Sequence, residues 1–522
     1  MPFGLHVAVL DPTKLPALDV ELRWSLFDAT GTATGRVAAA GRLEDLSAAT
    51  SSRAIASQQT RLILENVAGP HFAQVHIDGA DECSGGTSSL FAFDTRSRVV
   101  WLNRIQGGSG ELSEVVVHDL DDANERRFAL DAEADRVRFV DAGNGRQAWL
   151  AHCQTFDPTT WHIEQVDYER GAREHRLTTR SDVAPRLHTM SGGRELVVAS
   201  YRDSVWQLDL LLPLRAQPYF LGKSSAARDA TAVVGVDPAG RALVWTEEAS
   251  AATNSSAFVV TVIGPLGPSA TRRVNAGQSI VDFQVSRDGE RFGWITTSAE
   301  GARASLGVAS LEAARALYFI PSPAEGHEVR AFRWSPRDDE IVAIGDLRTN
   351  EHHELILVRS DGRLHFSTSA APPNPTEIDL LAWSPDGARF AWIERTAAGT
   401  RLLVTESLGL VTRVLSGSEN EALDFAWSGD GREIAWRERS DSSTRLKRAL
   451  ADGSVVETLT IGGLAPHVEH YDFDPLSTRL VFVADGVVYL ARLGEEAQRL
   501  SSTTGIAVRV AWSRFFGTNV SR

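Results

Sequence analysis

The sequence contains few cysteines, few lysines and no long apolar run. Only two of its 522 residues are cysteine, Cys83 and Cys153. Two cysteines cannot build the disulfide framework of a small secreted domain, and they lack the paired spacing of a structural zinc site. Whether they pair with each other is left open. No apolar run approaches the ~18 to 20 residues that span a bilayer, so no transmembrane segment is expected.

Positive charge is also scarce. Lys14, Lys223 and Lys447 are the only lysines, and 53 basic residues face 68 acidic ones, for a formal net charge of -15. This surplus of negative charge repels phosphate backbones and argues against nucleic acid as a partner. Residues 1–13 have no basic segment and reach Asp11 before an apolar segment can form, so no signal peptide is expected there. A cytoplasmic location is expected if Met1 is the native start.

What the sequence does contain is a repeat that recurs every ~45 to 50 residues. Each copy has a short apolar stretch, a Ser or Asp anchor, a turn rich in Pro, Asp and Gly, and a second apolar stretch. The anchors are Asp94, Asp141, Ser191, Asp237, Ser286, Ser335, Ser384, Ser428, Asp474 and Ser513. The residue before the anchor is apolar in every copy. A second apolar column lies eight residues after it, at Trp149, Ala199, Trp245, Trp294, Ala343, Trp392, Trp436 and Phe482.

The repeats predict an all-β fold. Around Ser384, the apolar stretches 379–383, 389–393, 401–405 and 411–415 predict four strands separated by turn residues. Four antiparallel strands per ~45 to 50 residues is the spacing of a β-propeller blade. We expect a large single propeller of eight to nine four-stranded blades, with the last strand at 508–512 returning to close the ring. Two five-bladed rings are a third option. The aromatic columns are interpreted as packing between blades, against the alternative of platforms that stack sugars or bases.

The motif Trp-Ser-Pro-Asp-Gly at 383–387 resembles the TolB-like repeat, also called the WD40-like bacterial propeller repeat (PD40). Degenerate copies lie at 334–338, 427–431 and 285–289. The resemblance covers residues 88 to 516 and implies a propeller rather than one activity, because relatives range from periplasmic interaction proteins to the propeller half of serine peptidases. It also implies an extracytoplasmic location, in the periplasm or cell envelope.

The first 85 residues do not carry the motif and are expected to form a separate small β domain. Residues 5–10, 20–28, 61–65 and 72–77 predict strands, and the order of the last two resembles an Ig-like or prealbumin-like sandwich. The propeller then takes residues 86–522. Helical periodicity is confined to Val308–Leu317 and Arg42–Gln58.

No catalytic, cofactor or metal site is expected. A hydrolase would need a Gly-x-Ser-x-Gly elbow within a βαβ pattern, and the chain has neither. Strand alternation predicts that His470 and Asp472 share one side while His467 faces the other. A metal held across blades by His188, His470 and other channel residues is the alternative to histidines that are exposed or hydrogen-bonded. His352 and His353 are expected in a loop.

Ten acidic residues between 111 and 141 offer one candidate surface. They are Glu111, Glu114, Asp119, Asp121, Asp122, Glu125, Asp131, Glu133, Asp135 and Asp141. They are interpreted as a solvated face, with a docking surface for a basic protein as the alternative. Three irregular loops, 249–257, 370–377 and 156–160, are further candidates for binding.

The sequence therefore predicts a non-catalytic propeller scaffold for protein–protein interaction, in a larger assembly that could belong to the cell envelope. Two alternatives stay open: a propeller-fold lyase or hydrolase with histidines and carboxylates lining its channel, and a carbohydrate-binding propeller.

Overall fold

The chain folds almost wholly into antiparallel strands. The computed structural model describes the backbone of seven strands within residues 2–94, and most of residues 98–512 with their side chains. The gaps of four or more residues in that second region are 142–146, 191–194, 229–232, 237–241, 247–256, 298–303, 321–327, 347–353, 360–363, 369–376, 407–410 and 475–478, and residues 513–522 also lie outside the description. Within the described part there are 43 strands and one 3-10 helix, Ala134–Arg136.

The N-terminal strands form two sheets. They are β1 (Pro2–Val9), β2 (Glu21–Phe27), β3 (Ala33–Ala38), β4 (Ala54–Arg61), β5 (Pro70–Asp78), β6 (Gly86–Thr87) and β7 (Phe91–Asp94). β1 pairs with β4, and the second sheet has the order β3-β2-β5-β6 with β7 also paired to β5. β6 and β7 thus bond to this sheet although they follow residue 85. The boundary at residue 85 and the sandwich class stay predictions.

The remaining strands form nine four-stranded sheets, the blades of one propeller. Blade 1 contains β8 (Arg98–Gly107), β9 (Gly110–Asp119), β10 (Glu125–Leu130) and β43 (Ile506–Trp512). Blade 2 contains β11 (Val137–Asp141), β12 (Gln147–Cys153), β13 (Thr160–Asp167) and β14 (Ala172–Arg180). Blade 3 contains β15 (Arg186–Thr189), β16 (Leu196–Arg202), β17 (Val205–Leu211) and β18 (Tyr219–Ser224). Blade 4 contains β19 (Val234–Val236), β20 (Ala242–Thr246), β21 (Ala257–Gly264) and β22 (Gly267–Asn275).

Blades 5 to 9 repeat the same order of four consecutive strands. Blade 5 contains β23 (Ser279–Val285), β24 (Arg291–Thr297), β25 (Ala304–Ser310) and β26 (Arg315–Ile320). Blade 6 contains β27 (Glu328–Trp334), β28 (Glu340–Asp346), β29 (Glu354–Arg359) and β30 (Leu364–Thr368). Blade 7 contains β31 (Glu377–Trp383), β32 (Arg389–Thr396), β33 (Gly399–Glu406) and β34 (Thr412–Val414). Blade 8 contains β35 (Glu421–Trp427), β36 (Glu433–Ser440), β37 (Ser443–Leu450) and β38 (Val456–Thr458). Blade 9 contains β39 (Val468–Phe473), β40 (Leu480–Ala484), β41 (Val487–Ala491) and β42 (Gln498–Arg499).

The C-terminal strand closes the ring. β43 pairs with β8, so the innermost strand of blade 1 comes from the end of the chain and contains the expected segment 508–512. β7, which carries the anchor Asp94, pairs instead with β5. The ten anchors therefore correspond to nine blades, which settles the choice between eight and nine.

The anchor serine stabilises the turn between the first two strands of a blade. Ser384 is fully buried, and its Oγ donates to the Arg389 carbonyl (2.9 Å) and accepts the Arg389 N–H (3.0 Å). The Gly387 N–H donates to the Ser384 carbonyl, and the φ of Gly387 is +65°. A positive φ favours glycine, which explains the Pro-Asp-Gly sequence after the serine. Ser428 and Gly431 repeat the same arrangement in blade 8.

Six innermost strands carry a bulge at the same place. The pairing shifts between Ile280 and Asp282 in blade 5, and the equivalent shifts recur in blades 6, 7, 8, 9 and 1. A bulge re-aims the side chains beside it and increases local twist. The side chains on the two sides of the bulge therefore do not follow simple alternation.

The helix expected over Val308–Leu317 is wrong. Val308 lies in β25, and Arg315 begins β26. Both faces of β25 are buried: Val308 packs towards blade 6 and Ala309 towards blade 4. A strand buried on both faces has a continuous apolar run, which periodicity alone does not distinguish from a helix. Of the other candidate, Arg42–Gln58, residues 54–58 lie in strand β4 and the rest lies outside the described residues.

Candidate functional site

The aromatic column before the anchor joins neighbouring blades. The indole Nε1 of Trp383 donates to the Arg333 carbonyl of blade 6 (3.1 Å). The same bond recurs from Trp334 to Gln284, from Trp427 to Ala382 and from Trp512 to Asp472. Each bond links the innermost strands of two consecutive blades. The predicted packing role is confirmed for these tryptophans, because their only polar atom is used between blades.

The second column is buried in the interfaces between blades. Trp149, Trp294 and Trp436 are fully buried, and the remaining members, including Ala199 and Phe482, are buried as well. Burying one large apolar side chain stabilises a fold by roughly 1.5–3 kcal/mol. None of these rings is accessible to a stacking ligand, which removes the repeat tryptophans as a sugar or base site.

The histidines singled out in the sequence lie in separate blades. His470 lies in β39 of blade 9 and His188 in β15 of blade 3. His470 bonds through its ring to the Val510 carbonyl of blade 1, and Asp472 accepts the Trp512 N–H on the same side (3.0 Å). His467 instead accepts the Thr444 N–H of blade 8 (3.1 Å). Among the described residues no three His, Cys, Asp or Glu side chains are arranged to hold a metal. His352 and His353 lie outside the described residues.

Burial sets the protonation of His188 and His470. Burial, and then the charge of Arg186, lowers the pKa of His188 to about 4. Burial, followed by the charges of Arg509 and Arg437, lowers the pKa of His470 to about 4. Both rings are therefore neutral at pH 7.

A pH dependence of stability follows from these two histidines. The unfolded chain, with ordinary histidine pKa values near 6.5, binds more protons than the folded chain between pH 6.5 and about 4. The free energy of unfolding should therefore decrease as the pH is lowered through this window, by up to about 3 kcal/mol for each histidine, with no contribution above it. Denaturant unfolding between pH 7 and pH 5 measures this slope. The double variant His188→Gln/His470→Gln should flatten it.

The single variants His188→Gln and His470→Gln should each remove part of the slope. An equal slope in the wild type and in the double variant would contradict the assignment.

Blade 2 contains a histidine cluster that the sequence did not reveal. His152, His162 and His175 lie on three adjacent strands, with ring centroids 5.5 and 5.8 Å apart. Glu164 lies on the same face and pairs with Arg173 (2.8 Å). Burial, then the neighbouring His152 and His175, lowers the pKa of His162. The three histidines are brought together by the pairing register of their strands, and a single sequence does not show that register.

The acidic segment 111–141 is partly neutralised. Four of its acids pair with arginines: Glu114 and Glu125 with Arg127, Asp119 with Arg98, and Glu133 with Arg136. Asp131 and Asp135 are exposed. The side chains of Glu111, Asp121, Asp122 and Asp141 lie outside the described residues. Of the six described acids, four are therefore paired with arginines and two are exposed.

The candidate loops are only partly described. Residues 249–256 and 370–376 lie outside the described residues, as does Phe156. In the third loop, Asp157 Oδ1 accepts the Thr159 hydroxyl (3.0 Å) and the Thr160 N–H (3.2 Å). These hydrogen bonds lower the pKa of Asp157. This loop is therefore a compact turn held by its own side chains.

The outer edges of blades 7 and 8 expose apolar side chains. We call this set the rim patch; it comprises Val411, Val414, Val455 and Val456 at these edges, and Leu464 in the connection that follows β38. Leu464 is 76% exposed, and Val414 and Val456 are each about half exposed (51% and 49%). The two blades meet here, since Arg413 donates to the Asp452 carbonyl. β34 and β38 each pair with one strand only among the described residues, so their outer backbone edges are open.

Cys153 is a free, buried thiol. Burial raises its pKa, and the nearby Arg136 lowers it by a smaller amount. A buried thiol with a raised pKa is a poor nucleophile.

No helix within the described residues has the length and apolar character to cross a membrane.

Comparison with known proteins gives likeness at the level of fold. No family model matches the chain, and no curated protein matches it. The structure titled "Crystal structure of the eukaryotic initiation factor" is 13% identical with a TM-score of 0.56, covering 80% of this chain and 99% of that chain. The Dos1 propeller is 11% identical with a TM-score of 0.44, covering 69% and 95%. The propeller domain of the Trilobed protease from Pyrococcus furiosus is 9% identical with a TM-score of 0.39, covering 71% and 96%.

Identities this low show the fold alone. Nine four-stranded sheets in ring order and a closing C-terminal strand lead to one conclusion about the architecture. The chain is a β-propeller protein.

Proposed function

We propose that this protein is a non-catalytic scaffold that binds protein partners at the outer edge of the propeller, with the rim patch as its main contact. The proposal rests on a contrast between repeat residues that bond inside the propeller and apolar side chains that stay exposed at its outer edge. The repeat tryptophans and serines bond within and between blades, whereas Val414 and Val456 remain exposed on two adjoining blade edges and Leu464 in the connection after β38. Clustered exposed apolar side chains are typical of protein interaction surfaces.

Open strand edges support the same proposal. A partner strand can add to an unpaired edge through main-chain hydrogen bonds, while side-chain pockets give specificity. β34 and β38 are each three residues long, so an added strand would be short and the apolar contacts would supply most of the affinity. A basic partner surface opposite Asp131 and Asp135 is a further part of the proposal.

We further infer that the repeats are TolB-like, because of Trp-Ser-Pro-Asp-Gly at 383–387 and its degenerate copies. That resemblance supports an extracytoplasmic assembly as the setting.

Affinity purification from the native host tests the scaffold. We expect the wild type to retain reproducible partners and the variant Val414→Asp/Val456→Asp to lose at least one of them about tenfold or more. An introduced carboxylate would have to be desolvated in an apolar contact, which costs several kcal/mol.

Phe220→Asp is the matched control. Phe220 is 59% exposed on β18 of blade 3, away from the rim patch. All three proteins should show the same circular dichroism and unfolding midpoint. Equal recovery of every partner by both variants would count against the rim patch, and a wild type without any reproducible partner would count against the scaffold.

A further inference from the structure

Three histidines lie side by side on adjacent strands of blade 2. His152 is on β12, His162 lies directly opposite it on β13, and His175 is on the outermost strand β14. The ring centroids of His152 and His162 are 5.5 Å apart, and those of His162 and His175 are 5.8 Å apart. We call these residues the histidine cluster. Positive charges this close repel one another, because they lie within the screening length of about 8 Å at physiological salt.

Thr178 links the outermost strand to this cluster. Its hydroxyl oxygen, on β14, lies 3.4 Å from His162 Nδ1 and 3.1 Å from His175 Nε2. A neutral imidazole has one N–H donor and one acceptor nitrogen, so a single hydroxyl can accept from one ring and donate to the other. Two protonated rings would instead place two positive charges on either side of this hydroxyl. The bridge therefore stabilises β14 on β13 when the rings are neutral.

Two acids act on the cluster, and both already have partners. Glu164 on β13 pairs with Arg173 (Oε2 to Nε, 2.8 Å), and its Oε1 lies 3.6 Å from His152 Nε2. Burial alone would raise the pKa of Glu164, but His152 and Arg173 lower it overall, so this carboxylate does not take up the proton in place of the rings. Asp157, in the loop before β13, accepts the Thr159 hydroxyl (3.0 Å). Neither acid is free to neutralise three imidazolium groups.

Blade 1 packs against the same face of blade 2. Phe128 of blade 1 packs with Leu150 of β12, and strand alternation places His152 on the same face. Arg173 of β14 donates to the Ala129 carbonyl of blade 1. The charged side chains on the adjoining part of blade 1 are Glu125 and Arg127, which pair with each other, Glu133 and Arg136, which also pair, and Arg126, Asp131 and Asp135. The outermost strand therefore meets blade 1 beside the cluster.

The folded state disfavours protonation of the central ring. Burial, then the charges of His152 and His175, lowers the pKa of His162. The His152 ring is buried, and neither of its nitrogens has a hydrogen-bond partner among the described residues. Opening of β14 admits water to the cluster and separates His162 from His175, so the open state binds protons more readily. The free energy of opening should therefore fall as the pH is lowered below about 6.5, the ordinary pKa of histidine.

We propose that the histidine cluster is a pH-sensitive switch, which holds β14 on β13 and against blade 1 at neutral pH and releases this strand in mildly acidic solution. Release uncovers the edge of β13 and the part of blade 1 that β14 contacts. Imidazole is the side chain whose ordinary titration lies between pH 5 and 8, so a modest acidification operates the switch. The switch is independent of the rim patch, which lies on blades 7 and 8.

Hydrogen exchange of the full chain, measured by mass spectrometry at pH 7 and pH 5, tests the switch. After correction for the intrinsic exchange rates, protection of the β14 amides should fall about tenfold or more at pH 5, because opening is coupled to proton uptake. β22 of blade 4 is the matched control within the same chain. Like β14, it is a nine-residue outermost strand paired at eight positions with one register shift, and neither β22 nor its partner β21 contains histidine. Its protection should be equal at both pH values.

Two variants separate protonation from packing. His162→Gln/His175→Gln keeps polar side chains but removes two of the titrating rings, so its β14 protection should be the same at pH 7 and pH 5. Thr178→Val removes only the bridging hydroxyl; it should reduce β14 protection at pH 7 and still show a fall at pH 5. In both variants β22 should be as protected as in the wild type, which verifies that the blades remain folded.

Equal protection of β14 at both pH values in the wild type would overturn the proposal. An equal fall in β14 and β22 would do the same, because proton uptake would then act on the whole propeller. A fall that persists undiminished in His162→Gln/His175→Gln would assign the response to other groups and remove the cluster from it. The variant His188→Gln/His470→Gln should retain the response of β14, since its substitutions lie in blades 3 and 9.

Discussion

Replacing Arg448 with methionine is expected to lower the free energy of unfolding by about 3–5 kcal/mol. The Arg448 side chain is fully buried in β37 and pairs with Glu433 on β36, which is almost as buried. Methionine fills a similar space but leaves the carboxylate without its partner. Breaking one side of a buried ion pair is costly because an uncompensated charge remains. Denaturant unfolding at pH 7 measures the loss.

The loss should depend on pH. Burial already raises the pKa of Glu433, although Arg448 lowers it. Without Arg448 the pKa of this carboxyl rises further, so the folded variant binds a proton more readily than the unfolded chain. Its stability should therefore recover as the pH is lowered towards 5, and the deficit should grow as the pH rises.

Two further variants make this prediction specific. Arg448→Met/Glu433→Leu removes both charges and should restore stability to about the wild-type level or above, because apolar replacement of a buried pair is often neutral or favourable. Arg432→Ala, at an exposed arginine 3.8 Å from Asp430, should change stability by no more than about 0.5 kcal/mol. An equal loss in Arg448→Met and Arg432→Ala would contradict the account.

Replacing Val510 with aspartate is expected to open the ring, with a loss of about 4–5 kcal/mol or more. Val510 is fully buried in β43, where it packs with Trp101 of blade 1 and Val481 of blade 9. A carboxylate at this position would lose its hydration at the junction between blades 9 and 1, where the last strand closes the ring. Limited proteolysis and unfolding midpoints measure the effect.

Ile506→Asp is the control for the closing strand. Ile506 lies on the same strand and is 55% exposed. It should remain protease-resistant, with an unfolding midpoint close to that of the wild type. Sensitivity of both variants to the same degree would indicate that β43 does not hold blades 9 and 1 together.

The fold was predictable because its main signals are local and repeated. The Ser-Pro-Asp-Gly turn at 384–387 and the aromatic columns recur in register, and strands predicted around Ser384 agree with β31 to β34 within a few residues. The number of blades could not be read from any single repeat. It depended on whether β7 or β43 completes blade 1, and that choice is made by pairing between distant parts of the chain.

The candidate sites were less predictable for physical reasons. The bulge residues Val281, Leu423 and Val508 are ordinary strand formers, so nothing in their identity marks a bulge. The histidine cluster of blade 2 brings His152, His162 and His175 together from three strands, and their proximity depends on strand register. In the acidic segment, acids that are close in sequence are neutralised by arginines such as Arg98 and Arg127, and this pairing also depends on the fold.

A disulfide between Arg104→Cys and Ile506→Cys tests ring closure most directly. These residues are paired partners on β8 and β43, and both are exposed. Directly opposed antiparallel residues have Cα atoms about 4.5–5.5 Å apart, within the range of about 4.4–6.8 Å that disulfides require. Single variants account for reactions of Cys83 and Cys153.

The account predicts that mild oxidation links the two engineered cysteines within one chain, identified by mass spectrometry of a monomer, and raises the unfolding midpoint. A link between two chains, or no link under conditions that oxidise both thiols, would contradict a single ring closed by its own last strand.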